Sequence, residues 1–405
     1  MQLTIDRQQL SQHLSEGEID RAEAILRNCV HCGFCLATCP TYQLLGSELD
    51  SPRGRIYQIK QLMEGATATA QTQAHLDRCL TCRNCETTCP SGIRYSELIA
   101  TGRTLVEQQV KRPLLEQLMI DALQHTVPYR RRIRPLIQLG RALGIPLAKA
   151  AETLPARPPS VKATNSAGSI ILFQGCVQDE LAPSTNRHLK QLLESLGYKV
   201  HQLNQEGCCG ALSHHLSAEA KSQQMVRNNI DQWLPLIEHE QAQLVVAASG
   251  CGSMVQDYPK QLQDDASYAS AAQQVADALI DPAQLLEPHL DQLTLHPDTP
   301  KQISYHPPCS QQHALHTDLS VESLLEALGC ELLPVANRHS CCGAAGTYSL
   351  LQASLSKQLR QRKLEALEQQ QPTLIATANI GCQHHLQHGT KTPVVHWVEL
   401  VQHKR

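Results

Sequence analysis

Hydrophobic patterning divides the chain into two regimes. Residues 51–65, SPRGRIYQIKQLMEG, place Ile56, Ile59, Leu62 and Met63 at helical spacing and stop at Gly65. Beyond residue 166 short apolar runs take over, and they occur twice. ILFQGC at 171–176 matches ISYHPPC at 303–309, and LVVAASGC at 244–251 matches LIATANIGC at 374–382. Between them LLESLGYKV at 192–200 matches LLEALGCEL at 324–332. Each copy predicts strand, cysteine loop, helix, CCG loop, long helix, strand, cysteine loop. That is an α/β half-domain, and two copies should pack with pseudo-twofold symmetry. The expected class is α+β: a helical domain over 1–101, a helical, basic connector and linker over 102–165, and half-domains over 166–295 and 296–405. The stretch 155–166, PARPPSVKATNS, has linker composition.

No run of 18 apolar residues occurs, and the polar start MQLTIDRQQL lacks the apolar core of a secretory signal. A reducing, cytoplasmic setting is therefore expected, where cysteine serves metal or redox chemistry. The chain has 17 cysteines in 405 residues, 3% aromatic residues and a net charge of −3. Scarce aromatics and a slight acidic balance argue against a nucleic-acid partner.

Eight cysteines lie in two runs of identical spacing. CVHCGFCLATCP carries Cys29, Cys32, Cys35 and Cys39, and CLTCRNCETTCP carries Cys79, Cys82, Cys85 and Cys89. Both read C-x2-C-x2-C-x3-C-P, the bacterial signature for [4Fe–4S] clusters, in which the fourth cysteine ligates the other cluster. Cys29, Cys32, Cys35 and Cys89 should hold one cluster, and Cys79, Cys82, Cys85 and Cys39 the second. Structural zinc is the competing occupant, but it favours separated cysteine pairs. The 39 residues between Cys39 and Cys79 exceed a compact small ferredoxin, and the helix in 51–65 points to a helical two-cluster type. Arg27, Arg78, Arg83 and Arg94 flank the runs and are candidates for offsetting cluster charge. His31 is expected to hydrogen-bond or face solvent rather than ligate.

The repeat places eight more cysteines in two equivalent sets. Cys176 precedes Cys208, Cys209 and Gly210 by 31 intervening residues, and Cys309 precedes Cys341, Cys342 and Gly343 by the same 31. Cys251 and Cys382 complete the sets. Adjacent cysteines bond each other poorly, whereas the following glycine permits a turn that aims both thiols one way. A cluster, a zinc ion and plain apolar packing are the alternatives for each set. Cys330, matched to Tyr198, reads as a core residue.

With these motifs in view, the chain resembles the glycolate oxidase iron–sulfur subunit family over nearly its whole length. CVHCGFCLATCPTYQLLGSELDSPRGRIYQIKQLMEG and HLDRCLTCRNCETTCPSG carry the resemblance more specifically than cysteine spacing does. It implies two flavin-type partner subunits, which would hold FAD, and oxidation of glycolate to glyoxylate, often also of D-lactate. It implies a site at the inner face of the bacterial inner membrane, with quinone as acceptor. The iron–sulfur subunits of anaerobic glycerol-3-phosphate dehydrogenase and of heterodisulfide reductase belong to the wider group. A thiol–disulfide enzyme is thus the alternative from another class. The wider group ends its CCG motif in C-x-x-C, whereas Met254 and His385 occupy that last position here.

The sequence lacks a strand-linked G-x-G-x-x-G, and nothing marks a flavin site. The expected role is electron transfer, with substrate oxidation on the partners. Residues 128–150 combine six arginines and lysines with Leu136, Ile137, Leu139, Leu143, Ile145 and Leu147. This segment can contact an anionic membrane or pack on protein. Pro135 and Pro146 are expected to restrict its helix to about two or three turns.

Overall fold

A computed structural model describes residues 3–145 and 167–404. The linker segment 155–166 and the end of the basic segment, 146–150, lie outside the described residues.

The N-terminal region is helical. Helix α1, Glu16–Asn28, opens with a capping box in which Ser15 and Glu18 satisfy each other's backbone amides. The helix foreseen in 51–65 forms as α2, Pro52–Met63, with Ser51 accepting from the Gly54 amide and proline in the first turn. A third long helix, α3, spans Tyr95–Gln109. Ile19, Ile25, Leu26, Ile56, Ile59, Leu98 and Ile99 pack into one core that also encloses Cys29, Cys79 and Cys85. Leu105 and Val106 belong to that core. The helical domain therefore continues through α3, past the boundary at 101 that the sequence suggested.

The connector forms two helices, α4, Leu114–Thr126, and α5, Arg130–Ala142. Pro135 sits inside α5 instead of ending it. The carbonyl at Arg131 loses its partner, but Arg131 and Pro135 are both exposed, so water can satisfy it.

Each cysteine-rich repeat is a four-stranded parallel sheet. The first is built from β1, Gly168–Phe173; β2, Tyr198–His201; β3, Gln243–Val246; and β4, Leu279–Ile280, in the order β2-β1-β3-β4. After β5, Leu293–Leu295, the second repeat uses β6, Gln302–His306; β7, Glu331–Leu333; β8, Ile375–Thr377; and β9, Val394–His396, in the matching order β7-β6-β8-β9. The sequence pattern showed two strands per copy. The flanking strands lie at sheet edges and are only two to four residues long, too short to show a period. The C-terminal strand β10, Val401–His403, pairs antiparallel with β5 and so ties the end of the second repeat to the end of the first.

The repeats share a core. Ile170, Leu172 and Leu189 of the first pack with Ile303, Tyr305, Leu374 and Trp397 of the second. Cys330 lies in this shared core, buried, as its sequence context suggested. Polar contacts cross the same seam. His188 Nε2 reaches the Val401 carbonyl at 2.7 Å, and His396 Nε2 reaches the Ala247 carbonyl at 3.0 Å.

His396 is fully buried, and the Val398 amide donates to its Nδ1. Burial pushes the imidazole down to about 4. The unfolded chain, with an ordinary histidine near 6.5, takes up a proton that the fold refuses, so stability falls as pH drops. The expected loss is on the order of 2 kcal/mol between about pH 7.5 and pH 5. Thermal melts across that range should show it, and His396→Gln, whose amide can still reach the Ala247 carbonyl, should flatten the slope.

Candidate iron–sulfur centres

In each cysteine run the backbone bends through two left-handed residues. These are His31 at φ 54° and Gly33 at φ 85° in the first run, and Thr81 at φ 50° and Arg83 at φ 59° in the second. The two pairs occupy equivalent positions, just before and just after the middle cysteine of C-x2-C-x2-C. Left-handed backbone at a non-glycine residue costs roughly 1 kcal/mol or more, and it persists here at three of four positions. The bends curl each loop so that three thiols face inward. At Gly33 a Cβ would stand 2.7 Å from Arg53 Nη1, so glycine also makes room for that guanidinium.

The two runs lie against each other, so that thiols of one stand beside thiols of the other. Cys89 and Pro90 line an open cavity together with Cys29, Cys32, Cys35 and Cys85. On the other side Cys85 is acted on electrically by Cys82, Cys79 and Cys39. The residues present fit two four-thiolate clusters. Burial pushes the Cys82 and Cys85 thiols well above their ordinary range and the Cys35 thiol up to about 11. Thiols so disfavoured as free thiolates ionise when a metal takes the place of the proton. In such clusters thiolate-bound iron supplies one-electron acceptance and release.

A polar network fixes the crossing cysteine of the first run. Cys39 Sγ lies 3.3 Å from Thr41 Oγ1, and Thr41 donates to the Asp50 carbonyl at 2.8 Å. Arg55 is 1% exposed and donates to Thr41 Oγ1 at 3.1 Å and to the His75 carbonyl at 2.7 Å. Its Nη2 stands 3.6 Å from the buried Asp50 carboxylate, which also meets His75 and Arg78. Burial opposes the Arg55 charge, but Tyr95, Cys79, Cys39 and Asp50 outweigh it and keep the guanidinium protonated.

The flanking arginines divide. Arg78 is held by Asp50, and Arg83 pairs with Asp257 of the first repeat. Arg27 and Arg94 form surface pairs with Glu23 and Glu97. The sequence reading missed Arg55 and Arg53, which face the clusters from helix α2 and are far from the cysteines along the chain. His31 stacks edge-on against Tyr57, and its buried Nε2 has no hydrogen-bond partner.

The CCG loops repeat their construction. Gly210 and Gly343 are left-handed at φ 94° and 89°. Ser222 and Ser356 each donate to the carbonyl of the CCG glycine. A Cβ at Gly343 would meet the Ser356 carbonyl at 2.7 Å, so the tight approach of the following helix requires glycine. In the first repeat Cys176 Sγ lies 3.5 Å from Cys208 Sγ, and Cys209 hydrogen-bonds to Cys208 and Cys251. Hydrogen bonds from Cys176 and Cys209 pull Cys208 well below the ordinary thiol range. In the second repeat contacts run from Cys309 to Cys341, on to Cys342, and then to Cys382. Met254 packs into the core beside the first set. His385 Nε2 is 3.2 Å from Ser356 Oγ, and the ring is half-buried.

The second run also abuts the second repeat. Leu80 shares an apolar cluster with Cys341, Tyr348 and Leu359, against which Cys82 and Cys309 pack. Asn84 Nδ2 donates to the Thr38 carbonyl at 3.0 Å and to the His339 carbonyl at 3.2 Å, joining both cysteine runs to the CCG loop.

Family comparisons agree with this arrangement. A 4Fe-4S dicluster domain matches residues 25–93, and a cysteine-rich domain carrying the CCG motif matches residues 170–256 and 303–387. The probable glycolate oxidase iron–sulfur subunit of Bacillus subtilis is 29% identical over 92% of this chain and 89% of its own length. A lactate utilization protein A from Exiguobacterium is 27% identical over 53% of this chain and 86% of its own. The glycolate oxidase iron–sulfur subunit of Escherichia coli is 48% identical over 94% of both chains, and the chain belongs to that family.

Proposed function

We propose that this chain carries electrons from partner flavin subunits that oxidise glycolate, and also D-lactate, toward membrane quinone. The observation that supports the reading best is that Cys89 lines the cavity of Cys29, Cys32 and Cys35, while Cys39 lies among Cys79, Cys82 and Cys85. Cys29, Cys32, Cys35 and Cys89 hold one [4Fe–4S] cluster, and Cys79, Cys82, Cys85 and Cys39 the other. Shared loops keep two such centres close enough for electron exchange. The first set lies nearer the surface: Cys32 is exposed, and Val30 and Phe34 beside it are 68% and 62% exposed. An apolar rim around an exposed thiolate suits docking of a redox partner. In the CCG repeats Cys176, Cys208, Cys209 and Cys251, and Cys309, Cys341, Cys342 and Cys382, are read as two further ligand sets.

The chain is proposed to sit at the inner face of the bacterial inner membrane. No helix among the described residues is long and apolar enough to cross one. Ile137 and Ile133 of α5 pack on the first repeat, and Arg130 and Arg134 pair with Asp179 and Glu180. Leu136, Leu139 and Leu143 stay exposed, as do Leu114, Leu115 and Leu118 of α4. An apolar stripe with Arg130 and Arg134 paired, and Arg131 and Arg132 exposed beside it, favours a contact driven by apolar burial with help from charge.

The relay is tested by paramagnetic resonance of the reduced, anaerobically purified chain. Two interacting [4Fe–4S] signals are expected. Cys89→Ser should remove the one bounded by Cys29, and Cys39→Ser the one bounded by Cys79. Zinc at full occupancy without iron, or glycolate turnover by this chain alone, would contradict the reading. Arg55→Leu removes a buried cation beside Cys39 and Cys79. It should cost about 3 kcal/mol in thermal stability and lower the potential of the second cluster in a redox titration. The assembled complex should sediment with anionic liposomes and largely stay bound in high salt, and Leu136→Asp with Leu139→Asp should release it. No sedimentation at low salt would place the stripe against a partner subunit.

A further inference from the structure

The two cysteine-rich repeats match in topology and in cysteine spacing, but they differ at the end of the first strand. β1 of the first repeat is followed by Gln174. In the second, the equivalent place at the end of β6 is held by His306: Phe173 pairs with Val246 as Tyr305 pairs with Ala376. Gln174 is engaged, accepting from Arg130 and donating to the Leu203 carbonyl. His306 is fully buried, and neither ring nitrogen has a hydrogen-bond partner. A buried imidazole with both nitrogens unsatisfied needs an explanation, because each lost partner costs about 1–3 kcal/mol.

The explanation lies beside it. A ring nitrogen of His306 and the Sγ atoms of Cys342 and Cys382 all lie within 4.8 Å of one another, and all three residues are buried. Among the described residues no other three histidine, cysteine or acidic side chains converge this closely. The eight thiols of the ferredoxin runs do not, as expected for ligands spread around the corners of a four-iron cube. Tight convergence suits a single ion instead: tetrahedral zinc, with bonds of about 2.3 Å to sulfur and 2.0 Å to nitrogen, sets neighbouring donors roughly 3.5–3.8 Å apart. Thiolate with imidazole is also the donor mixture that zinc takes.

We propose that His306, Cys342 and Cys382 bind one zinc-class divalent ion, and that Cys341, which contacts Cys342 but lies outside that convergence, moves in as its fourth ligand. Three thiolates and a divalent ion leave one negative charge. Lys363 offsets it: it is 2% exposed, tied to the Asn337 and Arg338 carbonyls, and acts electrically on Cys341, Cys342 and Cys382. The first repeat, with Gln174 in place of the histidine, lacks this nitrogen ligand, so the repeats differ in what they bind. The inference rests on reading the second CCG set as ligands, and not on the relay itself.

The test is metal analysis and zinc X-ray absorption on the full-length, anaerobically purified chain. About one zinc per chain is expected beside about eight iron, with one nitrogen and three sulfur neighbours. His306→Gln, which copies the first repeat, should lose zinc at least about tenfold, since even indirect support of a ligand is worth that much. Its two [4Fe–4S] signals should persist. His306→Cys should keep the zinc and replace the nitrogen scatterer with sulfur. Zinc held equally by His306→Gln, no zinc in the wild type, or iron beyond eight in its place would overturn the site. Loss of the two [4Fe–4S] signals from the wild type would instead count against the relay.

Discussion

The Arg55 guanidinium sits where the two halves of the iron–sulfur domain must agree. It reaches Thr41 just past the first cysteine run, Asp50 in the intervening loop, and the His75 carbonyl just before the second run. A buried cation is tolerated only when every direction around it offers an acceptor or a negative charge. Meeting that condition fixes the distance between the runs. The crossing of Cys39 and Cys89 depends on that distance. A chain with ideal cysteine spacing and no such anchor would leave the fourth ligands free to wander. The domain therefore combines a strained, thiol-bearing surface with a rigid polar interior.

The cysteine runs could be read from sequence because their chemistry is local. Three thiols at x2 spacing curl round one corner of a cube, and the crossing ligand follows from the x3 step. The CCG repeats were readable for a different reason: duplication turned weak patterns into paired ones. The helix in 51–65 was visible from its apolar spacing, but its most consequential residue, Arg55, was hidden there as one more polar position. His306 was hidden in the same way. It comes three residues before Cys309, yet its neighbours are Cys342 and Cys382, which the sheet brings together from loops far along the chain. The contrast HPPC against QGC at the two strand ends was the one available signal, and pattern alone gave it no chemistry. Duplication led to the expectation that the repeats pack together, but not to which residues share the core, since a strand buried against a sister domain reads like any buried strand.

Duplication explains the resemblance of the repeats, and their surroundings explain the differences. The second run of the ferredoxin domain packs directly on the second repeat through Leu80, Cys82, Cys309 and Cys341. The first repeat meets that run through the Arg83–Asp257 pair, and it supports helix α5 through Leu181 and Ala248. One repeat thus borders the buried cluster, and the other carries the connector with its exposed leucines. Equal topology has been put to unequal use.

That inequality gives the molecule a direction. The thiols of the first cluster lie toward solvent under an apolar rim, while those of the second are enclosed between the helical domain and the second repeat. Enclosure lowers the local dielectric and raises the cost of any unbalanced charge. Arg55 and Arg78 stand beside the enclosed end, and Arg53 lines the open one. Burial alone would disfavour the more negative, reduced state of an anionic centre, and these cations oppose that penalty. In the proposed relay the exposed rim is the entry and the enclosed end the exit, and a zinc ion in the second repeat would hold the wall of that path in shape without taking an electron itself.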